Sequence, residues 1–205
     1  MQNQEKLEKL ARLVEAKTKV VNISGIKDFD AIWQKHILDS LQIENTKTWG
    51  EIIKAPKNLQ ILDLGTGGGF PGLPLAINYP HIKFSLIDGT GKKIDAVNEF
   101  IRTLGINNAQ GLWVRSEDLA QNKLYKNNFD VVISRAVAYL PILIEMTKDL
   151  VAPDGILVFY KTFNEQEIKE GAEKASILGF KIEEIYKYKL ENDELQRCLV
   201  FLKRI

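Results

Sequence analysis

The sequence predicts a doubly wound α/β domain carrying a small helical extension at its N-terminus, and three observations carry that prediction. From Leu59 onward, short apolar runs rich in β-branched residues alternate with longer stretches of helical periodicity. This is the pattern of a parallel sheet covered by helices on both faces. A glycine-rich loop, Gly65-Thr66-Gly67-Gly68-Gly69, follows the first run, where open sheets of this kind bind ligands. The last two apolar runs are separated only by Glu191-Asn192-Asp193-Glu194, too short for a crossover helix, so they close the sheet as an antiparallel hairpin.

Taken in order, the stretch from Glu5 to Lys17 places Leu7, Leu10, Ala11 and Val14 at helical spacing. Asp28 is a suitable N-cap for a second helix whose apolar face is Phe29, Ile32, Trp33, Ile37 and Leu41. A loop at Ala55-Pro56-Lys57-Asn58 ends this extension, so the expected division is 1–57 and 58–205. Five buried strands then read as LQILDL, FSLID, GLWVR, FDVVIS and ILVFYK, and FKIEEIYKYKL with QRCLVFLKRI forms the hairpin. The intervening helices are expected over Pro71–Tyr79, Gly91–Leu104, Ala136–Val151 and Asn164–Leu178. Pro141 falls inside the third of these four helices, the Ala136–Val151 stretch, and calls for a kink or a later start there.

Composition narrows the function classes. Apolar residues make up 45% and charged residues 27% of the 205, ordinary for a soluble globular chain. The charged start, MQNQEKLEKL, contains no secretory h-region, and no apolar run approaches a membrane span. A single cysteine, Cys198, excludes an internal disulfide and suits a reducing compartment, so a cytoplasmic location without membrane partners is expected. The formal net charge of +1 announces no field for a polyanion. His36 and His81 are the only histidines, too few for a histidine-cysteine metal cluster, and no metal is expected.

The glycine loop satisfies two patterns. Gly67-x-Gly69-x-x-Gly72 fits a dinucleotide site, and Asp63-x-Gly65-x-Gly67-x-Gly69 fits the acidic-glycine loop of S-adenosylmethionine enzymes. A diphosphate needs free N–H groups and no nearby anion, yet Pro71 removes a donor and Asp63 adds a charge. S-adenosylmethionine carries an ammonium and a sulfonium, which a carboxylate favours. Glycines let its amino-acid end lie against the backbone. Asp88, at the end of the second strand, suits ribose hydroxyls in either case. The residues therefore favour S-adenosylmethionine, with a nicotinamide cofactor or a plain packing turn as the alternatives.

After the fourth strand stands Ile133-Ser134-Arg135-Ala136, with no Asn/Asp-Pro-Pro-aromatic run and no Pro-Cys pair. The devices for methylating an exocyclic amine or a pyrimidine carbon are thus lacking. An acceptor that is already nucleophilic, such as guanine N7, needs only alignment. His36 lies beside an apolar helix face with Asp39 and Ser40 one turn on, fitting either a satisfied core histidine or a polar group offered to substrate. A small-molecule methyltransferase and a non-catalytic binder of cofactor or ribosome remain open at this level.

His36-Ile37-Leu38-Asp39-Ser40, preceded by Asn22, together with Asp63-Leu64-Gly65-Thr66-Gly67-Gly68-Gly69-Phe70-Pro71-Gly72-Leu73-Pro74, Ile133-Ser134-Arg135-Ala136 and Lys161, resembles the RsmG (GidB) family of bacterial 16S rRNA guanine-N7 methyltransferases. The resemblance spans about Asn22 to Lys161. It implies a Rossmann-like class I methyltransferase fold, with a mostly parallel seven-stranded sheet and a C-terminal antiparallel hairpin. It also implies methylation of a guanine near the decoding centre, with 16S rRNA or the small ribosomal subunit as partner and a monomer favoured. Cofactor contacts are implied for Asp63, Gly65, Gly67, Gly69, Phe70, Asp88, Ser116, Glu117 and Arg135. Arg135 and Lys161, which follow the fourth and fifth strands and so can face one cleft, are with His36 the candidate catalytic residues on the RNA side. Phe70 stands where the family often has leucine, and Thr162 where glycine commonly follows the lysine.

Overall fold

A computed structural model describes residues 2–54, 58–122 and 125–205. Residues 55–57, at the expected boundary of the helical extension, lie outside the described residues. The extension consists of α1 (Gln2–Thr18), α2 (Phe29–Ile32), a π-helical stretch Trp33–Leu38, α3 (Asp39–Leu41), a 3-10 turn Gln42–Asn45 and α4 (Lys47–Ile52). Asp28 caps α2 as expected, its carboxylate accepting from the Ala31 N–H at 2.9 Å. The single helix expected from Phe29 to Leu41 is instead interrupted by the π stretch, whose wider turn re-aims the backbone at the site.

The remaining elements are β1 (Gln60–Leu64), α5 (Gly72–Asn78), β2 (Lys83–Asp88), α6 (Gly91–Leu104), β3 (Ala109–Trp113) and α7 (Ser116–Gln121). They continue with β4 (Phe129–Arg135), α8 (Leu140–Thr147), β5 (Val151–Thr162), α9 (Glu165–Ile177), β6 (Phe180–Tyr188) and β7 (Arg197–Arg204). One seven-stranded sheet runs in the order β3-β2-β1-β4-β5-β7-β6. β1 to β5 pair in parallel, and β7 runs antiparallel between β5 and β6. The doubly wound sheet with its terminal hairpin is the expected architecture, and the order reverses between β1 and β4, where a ligand cleft forms.

Several elements differ from the sequence expectation, and an unanticipated short helix, α7, follows β3. The helix expected over Ala136–Val151 begins only at Leu140, because Ala136 adopts a left-handed φ of 57° and Tyr139 an extended backbone with ψ of 143°. Pro141 then falls in the first turn, where its missing N–H is needed by no helical bond. Val151 belongs to β5, whose register against β4 shifts between Phe129 and Val131. The third strand is displaced by two residues, ending at Trp113 with Val114 and Arg115 beyond it.

Alternation along β1 assigns its side chains to two cores. Ile61 packs with α1, α5, α6 and the residues around α2 to α4 on one face, including Leu10, Ile32, Ile37 and Trp49. Leu62 and Leu64 pack with Leu140, Leu143, Ile144 and Ala175 of α8 and α9 on the other. The N-terminal helices thus share a core with the sheet. No helix among the described residues is long and apolar enough to cross a membrane.

Candidate active site

The loop after β1 is organised from beneath by Asp63. Its carboxylate is fully buried, and Oδ2 accepts from Thr66 Oγ1 at 2.6 Å and from the Gly72 N–H at 2.8 Å. A Cβ at Gly72 would come within 2.7 Å of that oxygen, which is why a glycine opens α5. Oδ1 has no hydrogen-bond partner among the described residues. Burial pushes the carboxyl up to about 6, against the hydrogen bonds from Thr66 and Gly72. The sequence places this acid at the mouth of the loop; in the structure it lies under the loop and fastens it to α5.

Asp88 performs the matching closure from β2. Oδ2 accepts from the Gly67 N–H at 3.1 Å and Oδ1 from the Thr90 N–H at 2.8 Å, with Lys93 Nζ 3.7 Å away. A cleft of ≈ 170 Å³ opens above, lined by Leu64, Gly65, Ile87, Asp88, Gly89, Val114, Arg115, Val137 and Met146. Gly65 and Asp88 are therefore brought together as expected. Gly67 and Gly69 shape the loop behind them with φ of 59° and 98°. Phe70 lies off the cleft, its ring stacked on His36 with centroids 4.7 Å apart. Ser116 and Glu117 open α7 directly after the cleft-lining Val114 and Arg115.

A second cleft, of ≈ 190 Å³, adjoins the first and is lined by Asp39, Arg135, Ala136, Tyr160, Lys161, Thr162, Glu167, Tyr188 and Arg197. Arg135, the last residue of β4, donates to Asp39 Oδ2 at 2.8 Å and to Lys35 O at 3.3 Å. Lys35 lies within the π stretch. Asp39 is buried, and its other oxygen accepts from Tyr188 Oη at 2.8 Å with Arg197 Nε 4.0 Å away. Tyr160 Oη donates to Ser40 O at 2.7 Å. Arg135 and Lys161 share this cleft as expected, but each already holds a carboxylate, Lys161 that of Glu167 at 2.6 Å.

His36 lines neither cleft. Burial, and then the neighbouring Arg135, bring its ring down to about 4, so it is neutral at pH 7. Arg135 Nη2 lies 3.3 Å from Nδ1 and can only donate. Nδ1 therefore carries the lone pair, and the proton on Nε2 is donated to Ser24 Oγ at 2.7 Å. The 3.2 Å approach of Nδ1 to Lys35 O is then a contact of two acceptors, outweighed by the charged donor.

The segment joining the two clefts is held by Glu167. Its Oε1 accepts from the Leu140 N–H at 2.8 Å while pairing with Lys161, whose Nζ also donates to Ala138 O at 2.7 Å. Glu167 itself is set by the N-cap of α9, Asn164, which accepts from its N–H at 2.9 Å. Between these ties and β4, Ala136 is left-handed and Val137 folds back over Gly65. Arg135 and Ala136 face the second cleft and Val137 the first. Glu167→Ala is expected to free this segment, raising KM for the cofactor on the order of tenfold, and to lower the thermal midpoint by roughly 10 °C, since it strands the half-buried Lys161 ammonium and the Leu140 N–H. Steady-state kinetics beside a melting curve check it.

The sequence misses Glu167, Tyr160, Tyr188 and Arg197 as site residues, and meets Asp39 only as a neighbour of His36. A signal for Glu167 exists: Asn164 followed by Glu167 is a helix-start pattern in which the acid faces backward.

Asp63 and His36 impose opposite pH slopes on stability. Asp63 titrates higher folded than unfolded, so its contribution is fully present below about 4 and is lost as pH rises through about 6. His36 titrates lower folded than unfolded, so stability rises with pH between about 4 and about 6.5. Asn at position 63 keeps an acceptor for Thr66 and Gly72 and needs no charge. Asp63→Asn is therefore expected to stabilise the protein at pH 7, by up to roughly 3 kcal/mol, and to leave only the rising slope. Urea unfolding from pH 4 to 7 measures both, and an unchanged profile contradicts the assignment.

Comparison with known proteins gives this site its context. A family model described as rRNA small subunit methyltransferase G (GidB) matches residues 3–197. The ribosomal RNA small subunit methyltransferase G of Clostridium novyi (strain NT) is 37% identical over 186 residues, covering 90% of this chain and 74% of that protein. The protein of the same name from Acetivibrio thermocellus is 33% identical over 184 residues, covering 90% and 73%. Among solved structures, M. jannaschii TYW2 in complex with AdoMet superposes with a TM-score of 0.58 at 19% identity, over 75% of this chain and 72% of that one. Precorrin-6y C5,15-methyltransferase from Geobacter metallireducens GS-15 does so with 0.57 at 11%, over 76% and 84%. These two share the fold, a class I methyltransferase architecture. Matched along nearly its whole length by the family model and by members named for it, the chain belongs to the rRNA small subunit methyltransferase G (GidB) family.

Proposed function

We propose that the protein transfers the sulfonium methyl group of S-adenosyl-L-methionine to N7 of a guanine in 16S rRNA near the decoding centre, acting in the cytoplasm on the small subunit or its RNA. The observation that carries this reading is the meeting of two clefts at one loop, Arg135–Val137, on the carboxyl edge of the sheet, in a chain of this family.

The residues of the first cleft fit an adenosyl cofactor. Asp88 uses one lone pair of each oxygen on backbone N–H groups, which leaves acceptor capacity for ribose hydroxyls. Gly65 lets Val137 close over it as a wall of the cleft, and the buried Asp63, with one unpartnered oxygen, supplies a negative field that favours a cationic ligand. When bound, the cofactor supplies an electrophilic methyl group on a positively charged sulfur. The chain's residues need then only present an acceptor whose lone pair is free at neutral pH, and guanine N7 has no proton to remove. That suits a cleft whose Arg135 and Lys161 are locked in ion pairs, with a neutral, fully bonded His36 outside it: the two cations form a rigid wall that aligns the base. Methyl transfer to unmodified 16S rRNA, followed with cofactor labelled in its methyl group, tests the reading. RNA that gains no label, while a small-molecule fraction does, would overturn it.

A further inference from the structure

Resting on that reading, we infer that Trp113 is a stacking platform for an unpaired base of the substrate RNA, beside a groove that takes the adjoining backbone. Trp113 ends the edge strand β3 and is 72% exposed. A single exposed apolar side chain is ordinary; what sets Trp113 apart is how it is held. Its exposure does not come from poor packing. The indole N–H donates to Gly89 O at 3.1 Å. One ring face covers Gly91, where a Cβ would meet ring carbons at 3.3 to 3.5 Å. The polar handle is thus satisfied inward and one face is pinned, which leaves the other face flat, apolar and preorganised.

Its surroundings select a nucleobase over a protein side chain. On one side lies the candidate cofactor cleft, through Gly89 and Arg115. On the other lies a groove of ≈ 530 Å³ whose lining includes Lys17, Asn22, Thr90, Lys92 and Lys93. Acids temper these cations: Asp95 lines the groove, Glu99 pairs with Lys17 at 2.5 Å and Asp88 lies 3.7 Å from Lys93. Flat aromatic faces beside moderate positive charge are how single-stranded RNA is held. With a chain charge of only +1, stacking supplies affinity that a weak field cannot.

Position agrees. The parallel strands bring Trp113, Gly65, Arg135 and Lys161 to the same carboxyl edge of the sheet. β3 stands three strand spacings from β4, about 14 Å. A base stacked on Trp113 and a guanine in the Arg135 cleft can therefore belong to one short looped segment.

The test measures binding of an unmodified 16S rRNA transcript and of cofactor to wild type, Trp113→Ala and Trp113→Phe. The Ala variant is expected to lose RNA affinity about tenfold, with cofactor affinity and melting temperature retained. The Phe variant is expected to keep most of the affinity. RNA should also quench wild-type tryptophan emission, and since Trp113 is the exposed one beside a half-buried Trp33 and a buried Trp49, most of this quenching should be lost in Trp113→Phe, a readout that needs no Ala variant to fold. Wild-type RNA affinity in a folded Ala variant, or quenching undiminished in the Phe variant, overturns the inference. So does loss of RNA and cofactor binding in step with stability. If wild type itself fails to methylate the transcript, the reading of the substrate falls instead.

Discussion

Asp39→Ala is expected to cost on the order of 3–5 kcal/mol of stability and to lower kcat/KM on the order of a hundredfold. Asp39 is buried and holds Arg135 at 2.8 Å, Tyr188 Oη at 2.8 Å and, more distantly, Arg197. Deleting it strands a half-buried guanidinium that cannot lose its proton. It also unties α3 from the β6–β7 hairpin and from the end of β4. Asp39→Asn retains an acceptor for Tyr188 but not the charge, so its stability should fall between the two. Urea unfolding and steady-state kinetics on both variants measure this. An Ala variant with near-native stability and rate would mean that Arg135 takes its position from the backbone carbonyls alone.

Gly65→Ala is expected to weaken cofactor binding by one to two orders of magnitude. Gly65 has φ of 73°, and a Cβ there would lie 2.4 Å from Val137 Cγ2. Two costs thus meet at one position, a strained backbone and a displaced wall of the cleft. Gly65→Ala combined with Val137→Ala removes the clash and leaves the strain, so the double variant should recover part of the affinity. Calorimetric titration separates the two contributions. An unaffected single variant would place the cofactor elsewhere.

Much of the fold was legible because parallel strands buried on both faces read as continuous apolar runs, and because Asp28 and the Glu191–Glu194 break obey local rules. Local rules failed where tertiary contacts decided. The helix start at Leu140 depends on the left-handed Ala136 and on Glu167 accepting from the Leu140 N–H, and no periodicity encodes either. The π stretch at Trp33–Leu38 keeps the apolar spacing of an ordinary helix in sequence.

The candidate site divided in the same way. Gly65 and Asp88 stand at ends of adjacent strands in a recognisable pattern, and the sheet brings them together. Asp63 stands at the same strand end, but its carboxylate lies beneath the loop, where it accepts from the Gly72 N–H. Arg135 and Lys161 were brought to one cleft, whereas their partners come from far along the chain: Asp39 from α3 and Glu167 from α9. Tyr188 and Arg197 enter only because β7 inserts between β5 and β6.

The most direct measurement is nucleoside analysis of 16S rRNA from small subunits lacking the modification, after incubation with the protein and S-adenosylmethionine carrying a labelled methyl group. One labelled 7-methylguanosine, at a single position near the decoding centre, is the predicted result. Label in another nucleoside, or none in the RNA while the cofactor still binds beside Gly65, would contradict it.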